Sequence, residues 1–207
     1  MKKIIIAVFF TAAFTPLVVQ ADSGWYFGAG AGSLRTNIDD NSIHVTNATA
    51  SSVSKDETST AYKLFAGFQF NRNFAIEGGW MDLGRVSATR TVTAPFNGTA
   101  TGKLKISGFN LDLVGTLPIN DSFSALARAG ALNSRVTNSR SATGAIVVVG
   151  APEVTETTTQ FHYGLGLQYD FSKQWGIRGE WERSKVSWFN NGKSDIDLFS
   201  VNAVFKF

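Results

Sequence analysis

Seven charged residues stand among apolar and glycine neighbours: Lys63 in AYKLF, Glu77 in AIEGG, Asp112 in NLDLV, Arg128 in LARAG, and Arg178, Glu180 and Glu182 in GIRGEWE. An ionised side chain in such a setting must find an opposite charge or hold water, because burial without a partner is costly. Cations and carboxylates in this mixture can form a connected set of Arg–carboxylate pairs. Such a set satisfies its own members and packs, or it breaks and re-forms as a gate. Nucleophilic chemistry has fewer parts to draw on. Cysteine is absent, and His44 and His162 are the two histidines able to activate a hydroxyl. Two residues after His162 stands Gly164, where a His-x-Ser pair would place the hydroxyl for attack on a lipid. No catalytic role is therefore expected. Asp39-Asp40 and Asp56-Glu57 are acidic pairs in polar stretches, where solvation accounts for them, and neither a metal nor a cofactor is expected.

The elements that would position the seven charges have a period of two. In TQFHYGLGLQYDF, Phe161, Tyr163, Leu165, Leu167, Tyr169 and Phe171 fall on one face, and His162, Gly164, Gly166, Gln168 and Asp170 on the other. The same alternation sets Tyr62, Leu64, Phe68 and Phe70 against Lys63 and Gln69, Phe74, Ile76 and Trp80 against Glu77, and Trp175, Ile177 and Trp181 against Arg178 and Glu180. Aromatic residues make up 13% of the chain, yet the mean hydropathy is near zero. Strands with one apolar and one polar face give that average, and a lipid-facing barrel with a polar interior is built from such strands. Parity predicts eight strands: Gly24 to Leu34, Thr60 to Phe70, Phe74 to Val86, Lys103 to Leu117, Phe123 to Val136, Thr159 to Phe171, Trp175 to Val186, and Ile196 to Phe207. Short turns at Asn71-Arg72-Asn73, Pro118 to Ser122 and Ser172 to Gln174 alternate with long polar segments. That is the order of short periplasmic turns and long outer loops in an outer-membrane barrel. Within the fourth strand, Leu104 and Ile106 share one phase while Phe109, Leu111 and Leu113 share the other, which predicts a bulge near Ser107-Gly108. Trp25, Tyr26, Phe70, Phe74, Phe123, Phe171, Trp175 and Phe207, beside the short turns, are expected to form the periplasmic aromatic girdle.

Both ends of the chain agree with an exported barrel. Lys2 and Lys3 precede the apolar run Ile4 to Phe14, and Val19-Gln20-Ala21 offers small residues to a signal peptidase, so residues 1–21 are expected to be a signal peptide and residues 22–207 the barrel domain. Losing Lys2 and Lys3 lowers the formal charge from +3 to +1, which gives no basis for nucleic-acid binding. At the other end Phe199, Val201, Ala203, Phe205 and Phe207 line one face of the last strand. Phe199, Val201, Phe205 and Phe207 match the terminal signal that such proteins show to the barrel assembly machinery.

GFNLDLVGTLPINDSFSALARAGA, from Gly108 to Ala131, and GLQYDFSKQWGIRGEWE, from Gly166 to Glu182, resemble strands four to seven of the transmembrane domain of the outer membrane protein A family. The resemblance implies an all-β, eight-stranded, up-and-down antiparallel transmembrane barrel in the bacterial outer membrane. It places Glu77, Arg128, Arg178 and Glu180 where the family carries its lumenal charges. Val114 and Gln168 replace the family's lumenal lysine and glutamate, which argues against a switchable gate. The soluble peptidoglycan-binding domain of the longer family members is not expected here, and the chain resembles the barrel-only members.

The expected role is structural and surface-directed, with the outer loops contacting lipopolysaccharide, host molecules or other cells. A narrow pore or transporter is the alternative, with Gly67, Gly79, Gly130, Gly164, Gly166 and Gly176 as places where the interior could be open. A lipid-modifying enzyme ranks last. Arg85, Arg90, Lys103, Lys105, Arg135, Arg140, Lys185 and Lys193, near the outer strand ends, are expected to meet lipopolysaccharide phosphates. Ile146 to Val149 could pair with another strand, bind a partner or continue a hairpin. Membrane lipids and the assembly machinery are the other expected partners, and a monomer is the expected state.

Overall fold

The computed structural model describes residues 24–36, 50–94, 97–144, 153–187 and 193–207, and these are all strand and turn. The strands are β1 (Gly24–Thr36), β2 (Ala50–Asp56), β3 (Thr58–Gln69), β4 (Phe74–Ala94), β5 (Gly98–Pro118), β6 (Phe123–Gly144), β7 (Glu153–Asp170), β8 (Trp175–Ser187) and β9 (Lys193–Lys206). Each pairs antiparallel with its neighbours, and β1–β9 and β4–β5 pairing closes a ring. Eight strands make the wall. The ninth, β2, pairs with the upper part of β4 and carries the line of β3 onward past Glu57. The expected signal peptide, His44, Asp39-Asp40 and the Ile146 to Val149 run lie outside the described residues.

Three tight turns share one chemistry. Asn71 Oδ1 accepts the N–H groups of Asn73 and Phe74 at 2.8 and 2.9 Å. Asn120 Oδ1 accepts those of Ser122 and Phe123 at 2.9 and 2.8 Å, and Ser172 Oγ those of Gln174 and Trp175 at 3.3 and 2.9 Å. In each, a short polar side chain replaces the backbone acceptor that a sharp turn lacks, and an aromatic residue starts the next strand. These turns fix the register of the hairpins above them.

The lipid-facing band is shorter than the strands. On β5 the exposed apolar residues run from Leu117 to Phe109, close to the 9–11 residues or so that a tilted strand needs to cross hydrocarbon. β4, β5 and β6 are 21, 21 and 22 residues long, whereas β1 and β8 have 13 each. Among the described residues the wall is therefore taller along β4, β5 and β6 than along β1 and β8. The taller part is a Thr/Ser sheet tied by Thr89–Thr101 at 3.3 Å, Thr137–Thr155 at 3.1 Å and Asn133–Thr159 at 2.8 Å. Sequence parity reads the Thr-rich segment around Pro95 as a loop. Instead β4 and β5 continue paired to Val92 and Gly98, because β-branched threonines suit a strand that faces water.

The bulge is on β4, not at Ser107-Gly108. β5 keeps one unbroken register with β6 from Gly98 to Pro118, whereas the β4–β5 register shifts between Asp82 and Arg85. Gly84 takes φ +76°, a conformation suited to glycine, and its N–H donates to Asp82 Oδ1 at 2.9 Å. The extra residue leaves Leu83 and Val86 both buried inside, three positions apart, and turns Arg85 outward. The apparent phase break on β5 is a change of interior chemistry, since Leu104 and Ile106 face inward on the same phase as Asn110 and Asp112. Gly84→Val forces an unfavourable φ and drives a Cβ to 2.1 Å from Ser59 Oγ. It should destabilise the folded barrel by about 1–3 kcal/mol, read as a lower urea midpoint in liposomes, while Thr89→Val leaves the midpoint near wild type.

Candidate functional site: a sealed interior

Inward-facing residues form three layers. Nearest the tight turns lie Tyr26, Phe65, Ala75, Val114, Leu126 and Val204. On the loop side Leu34, Ala61, Met81, Leu83, Val86, Ile106, Leu132 and Leu198 belong to a second apolar cluster. Between them sit all seven charges singled out above, none more than 6% exposed.

Glu77 is the junction of the middle layer. Its Oε1 accepts from Arg128 Nη2 at 2.6 Å, and its Oε2 from Arg178 Nη1 at 2.8 Å and the Tyr26 hydroxyl at 2.9 Å. Arg128 also bonds Glu180 and reaches Asp112 Oδ2 at 3.3 Å. Lys63 bonds Glu182 and lies 3.2 Å from Glu180 Oε2, which also accepts from Asn202 at 2.9 Å. Asn110 donates to Asp112 at 2.6 Å. The Arg178 guanidinium packs over the Phe65 and Tyr26 rings, 5.1 and 5.4 Å from their centroids, and its Nε donates to Gln168 at 2.9 Å. A further pair, Lys206 and Asp170 at 2.6 Å, stands nearer the tight turns.

Glycines make room for these side chains across the strand pairs. A Cβ on Gly164 would meet Glu182 Cγ at 3.0 Å, one on Gly166 would meet Glu180 Cγ at 3.0 Å, and one on Gly130 would meet Asp112 Oδ1 at 2.3 Å. Gly67 lies under the Tyr26 ring and Gly28 under the Phe65 ring, a reciprocal exchange between β1 and β3. Gly79 faces Asn110, and Gly176 faces Asp170. The six glycines that could have opened the interior instead each hold a neighbour's side chain. An open groove of about 730 Å³ is lined by residues that include lipid-facing Phe27, Leu64, Trp80 and Phe109.

His162 belongs to the same layer. Its Nε2 lies 3.1 Å from Glu182 Oε2 and its Nδ1 3.7 Å from Asp112 Oδ1. Ser184 is its cross-strand partner, but both are buried and the ring nitrogens face acids rather than a hydroxyl. By formal charge, Lys63, Arg128 and Arg178 oppose Glu77, Asp112, Glu180 and Glu182, an excess of one negative charge. Sequence reading missed Tyr26, which it placed in the girdle. Tyr26 is buried in phase with Gly28 and Gly30, and that phase, opposite Trp25 and Phe27, was the available signal. Asn110, Asn202 and the apolar layers were missed because uncharged inward residues carry no marker in a single sequence.

The cations expected near the outer rim divide. Arg85, Lys103, Lys105, Arg135, Arg140 and Lys185 are exposed, whereas Arg90 is partly buried on the inward phase of β4. Lys193 begins β9 opposite Ser187.

An all-antiparallel closed ring of strands is a fold that other proteins share. A family model described as outer membrane protein beta-barrel domain matches residues 4–207. This chain belongs to that family. Solved structures similar to it include Ail, the attachment invasion locus protein of Yersinia pestis, in complex with the heparin analogue sucrose octasulfate, at 16% identity and TM-score 0.54, covering 90% of this chain and 99% of that one. The N-terminal β-barrel domain of Pseudomonas aeruginosa OprF is similar at 10% identity and TM-score 0.51, covering 89% and 98%. OprG from the same organism is similar at 13% identity and TM-score 0.50, covering 90% and 97%. No curated protein matches the chain. The likeness is one of fold, that of the eight-stranded outer-membrane barrels.

The interior geometry grades its own substitutions. Glu77→Gln removes the negative charge that two arginines share and turns one of its two acceptor oxygens into a donor facing a guanidinium, and should cost about 3–5 kcal/mol. Asp112→Asn removes one charge from the side in excess and should cost less than about 1 kcal/mol. Urea unfolding of both variants in liposomes, followed by tryptophan fluorescence, reads the difference, and equal losses would contradict this arrangement.

Proposed function

We propose that the protein is a surface-interaction barrel of the outer membrane, closed to solutes, whose tall wall and outer loops contact lipopolysaccharide, host molecules or other cells. The observation that carries this reading is the pairing of a filled interior with a one-sided extension beyond the lipid band. At about 3.4 Å per residue, the 21 residues of β5 run roughly 70 Å along the strand, which at a tilt of about 45° rises roughly 50 Å, beyond the hydrocarbon core of about 30 Å. A barrel that only sealed itself would not need that sheet. Three layers of packed side chains speak against the alternative of a narrow pore, because water and ions need a polar path through the apolar layers. Among the described residues the one histidine, His162, is buried with its ring nitrogens toward Glu182 and Asp112, and its cross-strand neighbour Ser184 is buried too, which speaks against the lipid-modifying reading.

In the same reading, residues 1–21 direct export and are removed after Ala21, and residues 22–207 are the barrel. Phe199, Val201, Phe205 and Phe207 present the assembly signal from the outer face of β9, and the barrel works as a monomer without metal or cofactor.

Removing residues 89–101 and joining Ala88 to Gly102 through a two-residue Asn-Gly turn shortens the wall and leaves the lower barrel register intact. Cells displaying this variant should attach to host cells no better than cells lacking the protein, while the purified barrel keeps its heat-modifiable gel mobility. Full attachment by the folded variant would sink the proposal.

A further inference from the structure

Four cations on the lipid-facing side of three adjacent strands have no counterpart in the interior network. Arg85 of β4 stands directly opposite Lys105 of β5, Lys103 is two residues above Lys105, and Arg135 of β6 is opposite Ser107. All four are exposed. Residues opposite one another in an antiparallel pair bring their Cβ atoms to about 5 Å, and like charges there are destabilising. Among the described residues none of the four has an ion-pair partner within 4.0 Å. The acids in neighbouring rows are engaged, Asp82 with the Gly84 N–H and Glu153 with Ser139.

The low side of the wall handles its cations differently. Arg183 makes a bidentate pair with Asp197, 2.7 Å for each bond, and Arg35, opposite Asp197 on the other side, stacks on Phe199 at 5.7 Å. The tall side leaves its charge open at the level where the apolar band ends. Phe109, 66% exposed, is two residues below Ser107 and four below Lys105. Beneath Arg135 the outward residues of β6 are Asn133, which donates to Thr159, and then Ala131, Ala129, Ala127 and Ala125, bordered by Leu111, Leu113, Gly115 and Leu117 of β5 and by Phe161, Tyr163, Leu165 and Leu167 of β7. Small side chains between two rows of large ones leave a shallow track running down from the cations.

We propose that Arg85, Lys103, Lys105 and Arg135 form a binding site for the phosphates of a bisphosphorylated outer-leaflet glycolipid, whose acyl chains follow the alanine track of β6. Guanidinium groups take phosphate oxygens in pairs, and lysines at the edge of the apolar band can lower their ammonium groups to headgroup depth. The β4 bulge is part of the site, because it turns Arg85 outward beside Lys105. The inference rests on the lipopolysaccharide contact of the preceding reading and narrows it to one site; a folded variant that loses lipid A but keeps cell attachment, or the reverse, tells the two apart.

The test is native mass spectrometry of the folded protein in detergent, titrated with bisphosphorylated lipid A, with the same lipid stripped of phosphate, and with inorganic phosphate as competitor. Lipid A should bind one to one, and Arg85→Ala/Lys105→Ala should weaken it at least about tenfold. Lys173→Ala, in a tight turn at the opposite end, should leave it unchanged. Ala129→Trp, which fills the track without touching a charge, should weaken lipid A as well. Heat-modifiable mobility establishes that each variant is folded. Unchanged affinity in the folded double variant, equal affinity for the phosphate-free lipid, or full displacement by inorganic phosphate alone would each overturn the proposal, the last by making the ligand a free anion.

Discussion

A charge inside an eight-stranded barrel has little room for water, and its partner must be another side chain. Most of the interior follows from that constraint. Glu77 gathers two arginines and a tyrosine hydroxyl, Arg128 spans three carboxylates, and Lys63 holds the two glutamates of β8. The long side chains lie flat across facing glycines, so the network needs Gly130, Gly164 and Gly166 as much as it needs the acids. Apolar layers on both sides keep water from competing, which strengthens each bond and raises the cost of losing one.

The bulge at Leu83-Gly84 links this interior to the outer face. A strand of uniform parity that kept Leu83 inside would expose Val86 and bury Arg85. One extra residue permits all three. The same irregularity completes the apolar layer above the charges and brings Arg85 beside Lys105 on the wall. Above it, strand alternation continues past Lys103 into a sheet whose outward residues on β4 and β5 are threonine and serine, so one set of strands serves the membrane and the space beyond it.

Much of this was legible in the sequence because the side-chain period of a strand is two and a lipid-facing barrel uses both phases. Phe161, Tyr163, Leu165 and Leu167 against His162, Gly164 and Gln168 needed only counting. The seven charges were legible for the same reason, since Arg128, between two alanines on the inward phase of its strand, has to meet a carboxylate there. Parity fails where chemistry changes without a change of phase. Leu104 and Ile106 looked like lipid-facing residues because the interior was assumed polar throughout, and the bulge was placed on the wrong strand in consequence. Tyr26 was assigned by its position near a turn rather than by its phase. The height of the wall was hidden because a threonine-rich strand in water and a threonine-rich loop have the same composition.

The central claim is that the interior is sealed by packed side chains. Single-channel recording of the folded protein in planar bilayers tests it most directly. Silence is expected from protein whose insertion is shown by protease protection. Reproducible conductance steps from the unmodified barrel, changed by Arg178→Ala, would contradict it and make the charged layer a gate.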